Sequence, residues 1–172
     1  MINFKRHLLT ASLLLTVTCF FSVFAIAQNS ATVLVGAELT RVMPPGFYFQ
    51  GLSAPTQMRN AAAARFGSKR YVIAGLVDTS GYAADVRAKY EGFFITDSPI
   101  TINGFDLGTG AYGFGFGDNG KMQILDLAGN QIVSVATTKD NGLKRPRPLM
   151  MANAGGGLRL YSGKDYVTII AR

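Results

Sequence analysis

The chain has 172 residues, 48% of them hydrophobic, a formal net charge of +7, one cysteine and one histidine. That length suits one domain with enough interior to form a core. The single cysteine excludes an internal disulfide, and the residues that remain after processing exclude much more.

Lys5 and Arg6, with His7, give a positive start. Leu8 to Phe24 follows as an uncharged apolar stretch, and Ala25-Ile26-Ala27 puts small residues at the two positions a signal peptidase accommodates. The pattern predicts a cleavable signal peptide over residues 1–27 and export to the periplasm or the cell exterior. An uncleaved anchor is the competing reading, because the apolar run approaches the roughly 20 residues of a membrane-spanning helix. The Ala-x-Ala site and the threonines and serines within the run favour cleavage. A lipid anchor on Cys19 is disfavoured, since Thr16-Val17-Thr18 is not the small-residue box such processing needs.

Removing 27 of 172 residues leaves 145, and takes away His7 and Cys19. The remainder has no Cys nucleophile, no His general base and no His or Cys metal ligand, so Ser-His-Asp, Cys-His, zinc and haem chemistry are excluded. Of the 17 basic residues two are lost, leaving 15 against 10 acidic ones and a net charge of +5. Such a surface favours anionic partners, such as an envelope component or an acidic glycan. No basic recognition helix or nucleic-acid motif appears, so nucleic acid is not an expected partner.

Strands are predicted at Thr32–Val35 and Phe47–Gln50, parted by the breaker Met43-Pro44-Pro45-Gly46. Ser53 to Phe66 reads as a helix. Ser53 serves as N-cap, Pro55 sits in the first turn, Ala61–Ala64 follows and Gly67 stops it. A strand follows at Arg70–Val77. Tyr82 to Tyr90 reads as a shorter helix that packs Tyr82, Val86 and Tyr90 on one face.

Further strands fit Gly92–Thr96, Ile100–Ile102, Ala111–Phe116, Lys121–Leu127, Gln131–Thr137, Leu158–Tyr161 and Asp165–Ala171. Turn signals punctuate them at Asn103-Gly104, Asp118-Asn119-Gly120, Ala128-Gly129-Asn130 and Asp140-Asn141-Gly142, which makes the second half a meander. The expected fold is all-β: one domain over residues 28–172, an antiparallel β-sandwich or a small closed β-barrel, with one or two short helices. Several strands are shorter than the nine to eleven residues or so of an outer-membrane strand.

The segment Ala111-Tyr-Gly-Phe-Gly-Phe116 places Tyr112, Phe114 and Phe116 on one strand face and bare glycines on the other. Such a ladder stacks on sugar rings or lines an apolar cavity; equally, it is the stripe of a core. Asp78-Thr-Ser-Gly-Tyr82 closes a strand with small polar residues, and Asp85, Glu91 and Asp97 lie near in sequence. Two of these carboxylates would serve a glycosidic hydrolysis if their separation suited it, whereas an Asp before Thr-Ser is commonly a turn cap.

The Asp-Asn-Gly turns lack the further oxygen ligands and closing Glu of a calcium loop. Lys144-Arg145-Pro146-Arg147-Pro148 projects three cations from an edge or loop, because its prolines bar it from the middle of a sheet. Ala154-Gly-Gly-Gly157 is a flexible connection that lacks the features of a phosphate loop. The candidate ligand-binding residues are Asp78, Tyr82, Glu91, Tyr112, Arg145 and Arg147, with no catalytic set, no metal set and no cofactor motif.

The strings Ala74-Gly-Leu-Val-Asp-Thr-Ser-Gly-Tyr82, Tyr90-Glu-Gly-Phe-Phe94, Ala111 to Phe116, Arg145-Pro-Arg-Pro-Leu149 and Leu158-Arg-Leu-Tyr161 resemble a group of uncharacterised exported bacterial proteins. Ile100-Thr-Ile-Asn-Gly104, with Leu107 and Gly110-Ala-Tyr112, is similar to the hairpin of a bacterial β-domain family of unknown function. The resemblance implies an exported bacterial β domain and carries no activity.

Three functions stay open. The first is a non-enzymatic binding or accessory module for a glycan, a small apolar ligand or an envelope partner. The second is a carboxylate-dependent hydrolase using two of Asp78, Asp85, Glu91 and Asp97. The third is a structural envelope protein held by its basic surface, with no membrane insertion after cleavage.

Overall fold

Two antiparallel sheets stack in the computed structural model, which describes residues 31–117 and 119–172. The predicted signal peptide and Asp118 of the third-quarter turn lie outside the described residues. The elements run β1 (Ala31–Val33), α1 (Gly36–Val42), β2 (Gly46–Phe49), β3 (Leu52–Phe66), β4 (Arg70–Val77), α2 (Ala84–Arg87), β5 (Gly92–Thr96), β6 (Ile100–Ile102) and β7 (Phe105–Leu107). Then come β8 (Gly110–Gly117), β9 (Lys121–Leu125), β10 (Gln131–Ala136), β11 (Thr138–Lys139), β12 (Arg147–Ala154), β13 (Gly157–Gly163) and β14 (Asp165–Ala171).

One sheet orders β1-β3-β4-β5-β8-β9-β10, with β2 pairing the start of β3; the other orders β12-β13-β14-β6-β7, with β11 beside β14. Neither sheet closes on itself, so the fold is a sandwich and not a barrel. Strands make up 60% of the structure and helices 8%, which confirms the all-β class.

Period-two alternation divides the core into two layers. Between the sheets, Ala62, Ala64, Val72, Phe94, Phe114 and Ile124 face Ile100, Leu149, Leu158, Leu160, Val167 and Ile169. On the outer face of the first sheet, Ala63, Val77, Phe93 and Leu125 pack under Phe47 and Phe49 of β2, with Tyr82, Val86 and Tyr90 beside them. The first sheet is therefore covered on both sides.

Glycine makes the second layer fit. The ring of Phe49 stacks on Tyr90 with centroids 3.9 Å apart. A Cβ on Gly113 would lie 2.5 Å from Phe49, and one on Gly115 would collide with the Lys89 carbonyl. Tyr112, Phe114 and Phe116 thus face the inner core, and the bare glycine face admits a second layer.

The expected helix over Ser53–Phe66 is instead part of the 15-residue strand β3. Its alanines satisfy a helical pattern, but both faces of β3 are buried here, and small side chains are what lets two layers close on one strand. Tertiary packing overrides the helix preference of alanine.

Residues Tyr82 to Tyr90 do bring Tyr82, Val86 and Tyr90 together, but only Ala84–Arg87 is helical. The helix α1 was not expected: it buries no residue and Val35 gives it no side-chain cap, so neither signal marks it. The edge strand β12 was hidden by Pro148 within it and Pro146 just before it. Ala154 pairs Gly157 across Gly155 and Gly156, both at positive φ, so that glycine run is a tight hairpin turn.

Candidate functional site: a polar cleft at one end of the sandwich

The first sheet ends, on one side, at Val77, Glu91 and the turn after Gly117; the second ends there at Ser162 to Asp165. Between them the chain crosses from β10 through Thr137 to β11. The crossing leaves a cleft of about 410 Å³ lined by Glu91, Phe116, Thr137, Lys139, Ser162 and Asp165, with Gly117 and Gly120 at its wall. Every lining side chain except Phe116 carries a hydrogen-bonding group.

Backbone register explains why these groups converge. Leu158, Leu160 and Ser162 share one parity of β13, so Ser162 continues the core-facing row beyond the last apolar residue. Asp165 stands opposite it, as Val167 stands opposite Leu160. Lys139 pairs with Asp165 from the other side of β14.

Glu91 follows the loop that covers the outer aromatic layer. Its N–H donates to the Phe114 carbonyl at 2.8 Å. Its carboxylate accepts the Phe116 N–H at 3.1 Å, filling the place a continued β5 would hold beside β8. The wall turn is fixed by Gly120 N–H donating to the Gly117 carbonyl and Thr137 Oγ1 donating to the Gly120 carbonyl at 3.0 Å.

Of the sequence candidates, only Glu91 lines this cleft. Asp78 and Tyr82 come together at a second, 260 Å³ cleft with Leu52 and Pro55. There Asp78 accepts the Ser80 N–H at 3.0 Å, and that bond and the Ser80 hydroxyl hold its carboxyl below the ordinary value of 3.8. The carboxylate caps its own turn. Tyr82 is 6% exposed and donates its hydroxyl to the Leu52 carbonyl at 3.1 Å. Burial pushes its pKa up, as it does for the fully buried Tyr90 beside it.

Tyr112 packs against the inner core and donates to the Gly108 carbonyl at 3.0 Å, so it offers no open stacking platform. Arg145 is exposed in the crossing loop. Arg147 begins β12 and lines a shallow 180 Å³ groove along the side seam, with Val33 to Val35 opposite.

The four carboxylates weighed for hydrolysis do not share a cleft. Asp97 accepts the Tyr71 N–H at 2.7 Å at the opposite end of β4 from Asp78, a strand length of about 20 Å away. Asp85 is exposed on α2. Glu91 lines the same cleft as Asp165 instead.

Asp165, Ser162, Thr137 and Lys139 were missed because the sequence does not show which strand ends meet. Among the described residues, no three His, Cys, Asp or Glu side chains gather where a metal ion could be held, and no helix is long and apolar enough to cross a membrane. No family model, curated protein or solved structure matches this chain.

Proposed function

We propose that this protein is an exported, non-catalytic binding module that holds a hydroxyl-rich ligand, such as a short glycan, in the cleft between Glu91 and Asp165. One observation carries the reading: the sandwich ends in a cleft whose lining is almost wholly hydrogen-bonding, with Phe116 as its one aromatic face. Carboxylates accept paired hydrogen bonds from adjacent sugar hydroxyls, Ser162 and Thr137 both donate and accept, and an aromatic face suits the apolar side of a pyranose ring. The N-terminal Lys-Arg start, apolar run and Ala-x-Ala site support export.

The test is calorimetric titration of the chain from Gln28 onward with maltotriose, galactotriose, the N-acetylglucosamine trimer and trigalacturonate. Saturable binding of at least one is expected, with Asp165→Asn and Ser162→Ala each weakening it about tenfold. A folded protein that binds none of the four overturns the proposal.

A further inference from the structure

The groove along the side seam is apolar where the cleft is polar. Residues of β1 and α1 meet residues of β12 there, across Ala61 and Ala62 of β3, and Arg147 is the only lining side chain that is not apolar. The backbone explains why the seam stays open. β1 pairs with β3 over three residues, Ala31 to Val33. The Leu34 N–H adds one bond to the Ala63 carbonyl at 2.8 Å, and Gly36, at a φ of 57°, then turns the chain into α1. β2 takes up the same edge of β3 only from Pro55 back to Leu52. Beside Ala61 and Ala62, β3 therefore has β4 on one edge and no strand on the other. Two alanines leave room there that larger side chains would fill.

The groove keeps apolar surface in contact with water. Val35 is 72% exposed, and Val33, Leu39 and Met150 are only half-buried. Their neighbours Leu34, Leu149 and Met151 belong to the two core layers, so the groove opens directly onto the interior. Helix α1 borders it without burying a residue. Arg147 is exposed between Pro146 and Pro148, and makes no ion pair with any of the described residues. Its guanidinium is a cation beside an apolar surface, with nothing in the fold to neutralise it.

We infer that this groove binds a medium-chain fatty acid, its single aliphatic chain lying on Val33, Val35, Leu39 and Met150 and its carboxylate held by Arg147. A guanidinium receives a carboxylate through two parallel N–H···O bonds. An uncharged hydrocarbon would leave that group unused, whereas a carboxylate on an apolar chain matches both parts of the lining. Covering Val35 and its neighbours removes apolar surface from water. Size narrows the ligand further. At 180 Å³ the groove is smaller than the roughly 300 Å³ at which ordinary small-molecule sites begin, which suits one narrow chain and not a ring system or a two-chain lipid. The groove shares no lining residue with the polar cleft, so this second ligand does not depend on the saccharide reading.

The experiment titrates the chain from Gln28 onward with decanoate and with decyltrimethylammonium, each below its micelle concentration, by calorimetry and by methyl NMR spectra. The two probes share a tail and differ in the charge of the head. Decanoate is expected to bind saturably and about tenfold more tightly than the ammonium probe, with methyl shifts centred on Val33, Val35, Leu39 and Met150. Arg147→Gln should lose about five- to tenfold for decanoate and nothing for decyltrimethylammonium. Leu39→Gln should weaken both by about fivefold, because it removes apolar contact from the chain. Arg147 is exposed and Leu39 half-buried, and circular dichroism verifies that both variants fold.

Equal affinity for the two head groups overturns the inference, as do methyl shifts centred away from the groove. A folded protein that binds no decanoate overturns it outright. Tighter binding of the tripeptide Ala-Val-Leu than of decanoate assigns the groove to a peptide C-terminus instead. Co-sedimentation with phosphatidylglycerol vesicles without decanoate binding assigns it to a membrane surface, and either result also overturns the inference. The saccharide titrations read the polar cleft separately, so each reading can fail alone.

Discussion

Tyr82 and Tyr90 show how two like residues in one cluster have opposite worth. Their rings meet edge to face at 5.3 Å. The Tyr82 hydroxyl donates to the Leu52 carbonyl and ties the hairpin formed by β2 and the start of β3 to the loop after β4. The Tyr90 hydroxyl, wholly buried, has no hydrogen-bond partner of good geometry. A buried polar group without a partner costs stability, whereas removing a donor strands its acceptor. Tyr90→Phe is therefore expected to be neutral or to stabilise by up to about 1 kcal/mol, and Tyr82→Phe to destabilise by about 1 kcal/mol. Urea denaturation of the two variants checks this. A larger loss for Tyr90→Phe than for Tyr82→Phe would show that the Tyr90 hydroxyl is the better-used group. None of this was readable beforehand: the i, i+4, i+8 spacing predicts that the side chains meet, but not which hydroxyl finds a carbonyl.

The β2–β3 hairpin explains both what the sequence revealed and what it concealed. Its tip, Gln50-Gly51, has both residues at positive φ, the geometry of a tight hairpin turn. Gln50 then anchors the tip, with its N–H on the Leu127 carbonyl and its side chain on that of Ala128. This clamps Phe49 between Tyr90 and the bare backbone of Gly113. Phe49→Ala should open a cavity there and cost about 3–5 kcal/mol, read as a lowered urea midpoint with an unchanged slope. A loss below about 1 kcal/mol would mean that the layer collapses onto the sheet without it. The strand Phe47–Gln50 was legible because its aromatics alternate. Its partner was not, because Ala61–Ala64 carries a helical composition whose β role appears only when Phe49, Phe93 and the inner core press on the two faces of one strand. In the second half, where apolar residues alternate and Asn-Gly turns recur, the expected strands were found within a residue or two. The candidate site fared less well. Glu91 was named, but its neighbours come from β13, β14 and the β10–β11 crossing, and the meeting of strand ends from two sheets leaves no local periodicity.

At the scale of the molecule, the cleft and the start of the domain lie at opposite ends of the first sheet. Ala31 pairs with Phe66, where β3 turns into β4, while Thr56 at the other end of β3 pairs with Val77 beside the cleft. Cleavage after Ala27 would leave residues 28 to 30 ahead of the first paired residue, a reach of about 10 Å when extended. That geometry separates the two fates of the N-terminal segment by their consequences. A retained apolar helix ending at Phe24 would tether the domain within about 20 Å of the membrane, the reach of six extended residues, with the cleft at the far end of the first sheet. A cleaved chain is free to present its cleft in any orientation. The expected outcome is cleavage: expressed with its N-terminal segment in a bacterial host, the protein should show an intact mass corresponding to residues 28–172, in the soluble fraction. A mass that includes residues 1–27, found with membranes, would overturn cleavage. It would leave the cleft reading intact, because an outward-facing cleft on a short tether still reaches a saccharide.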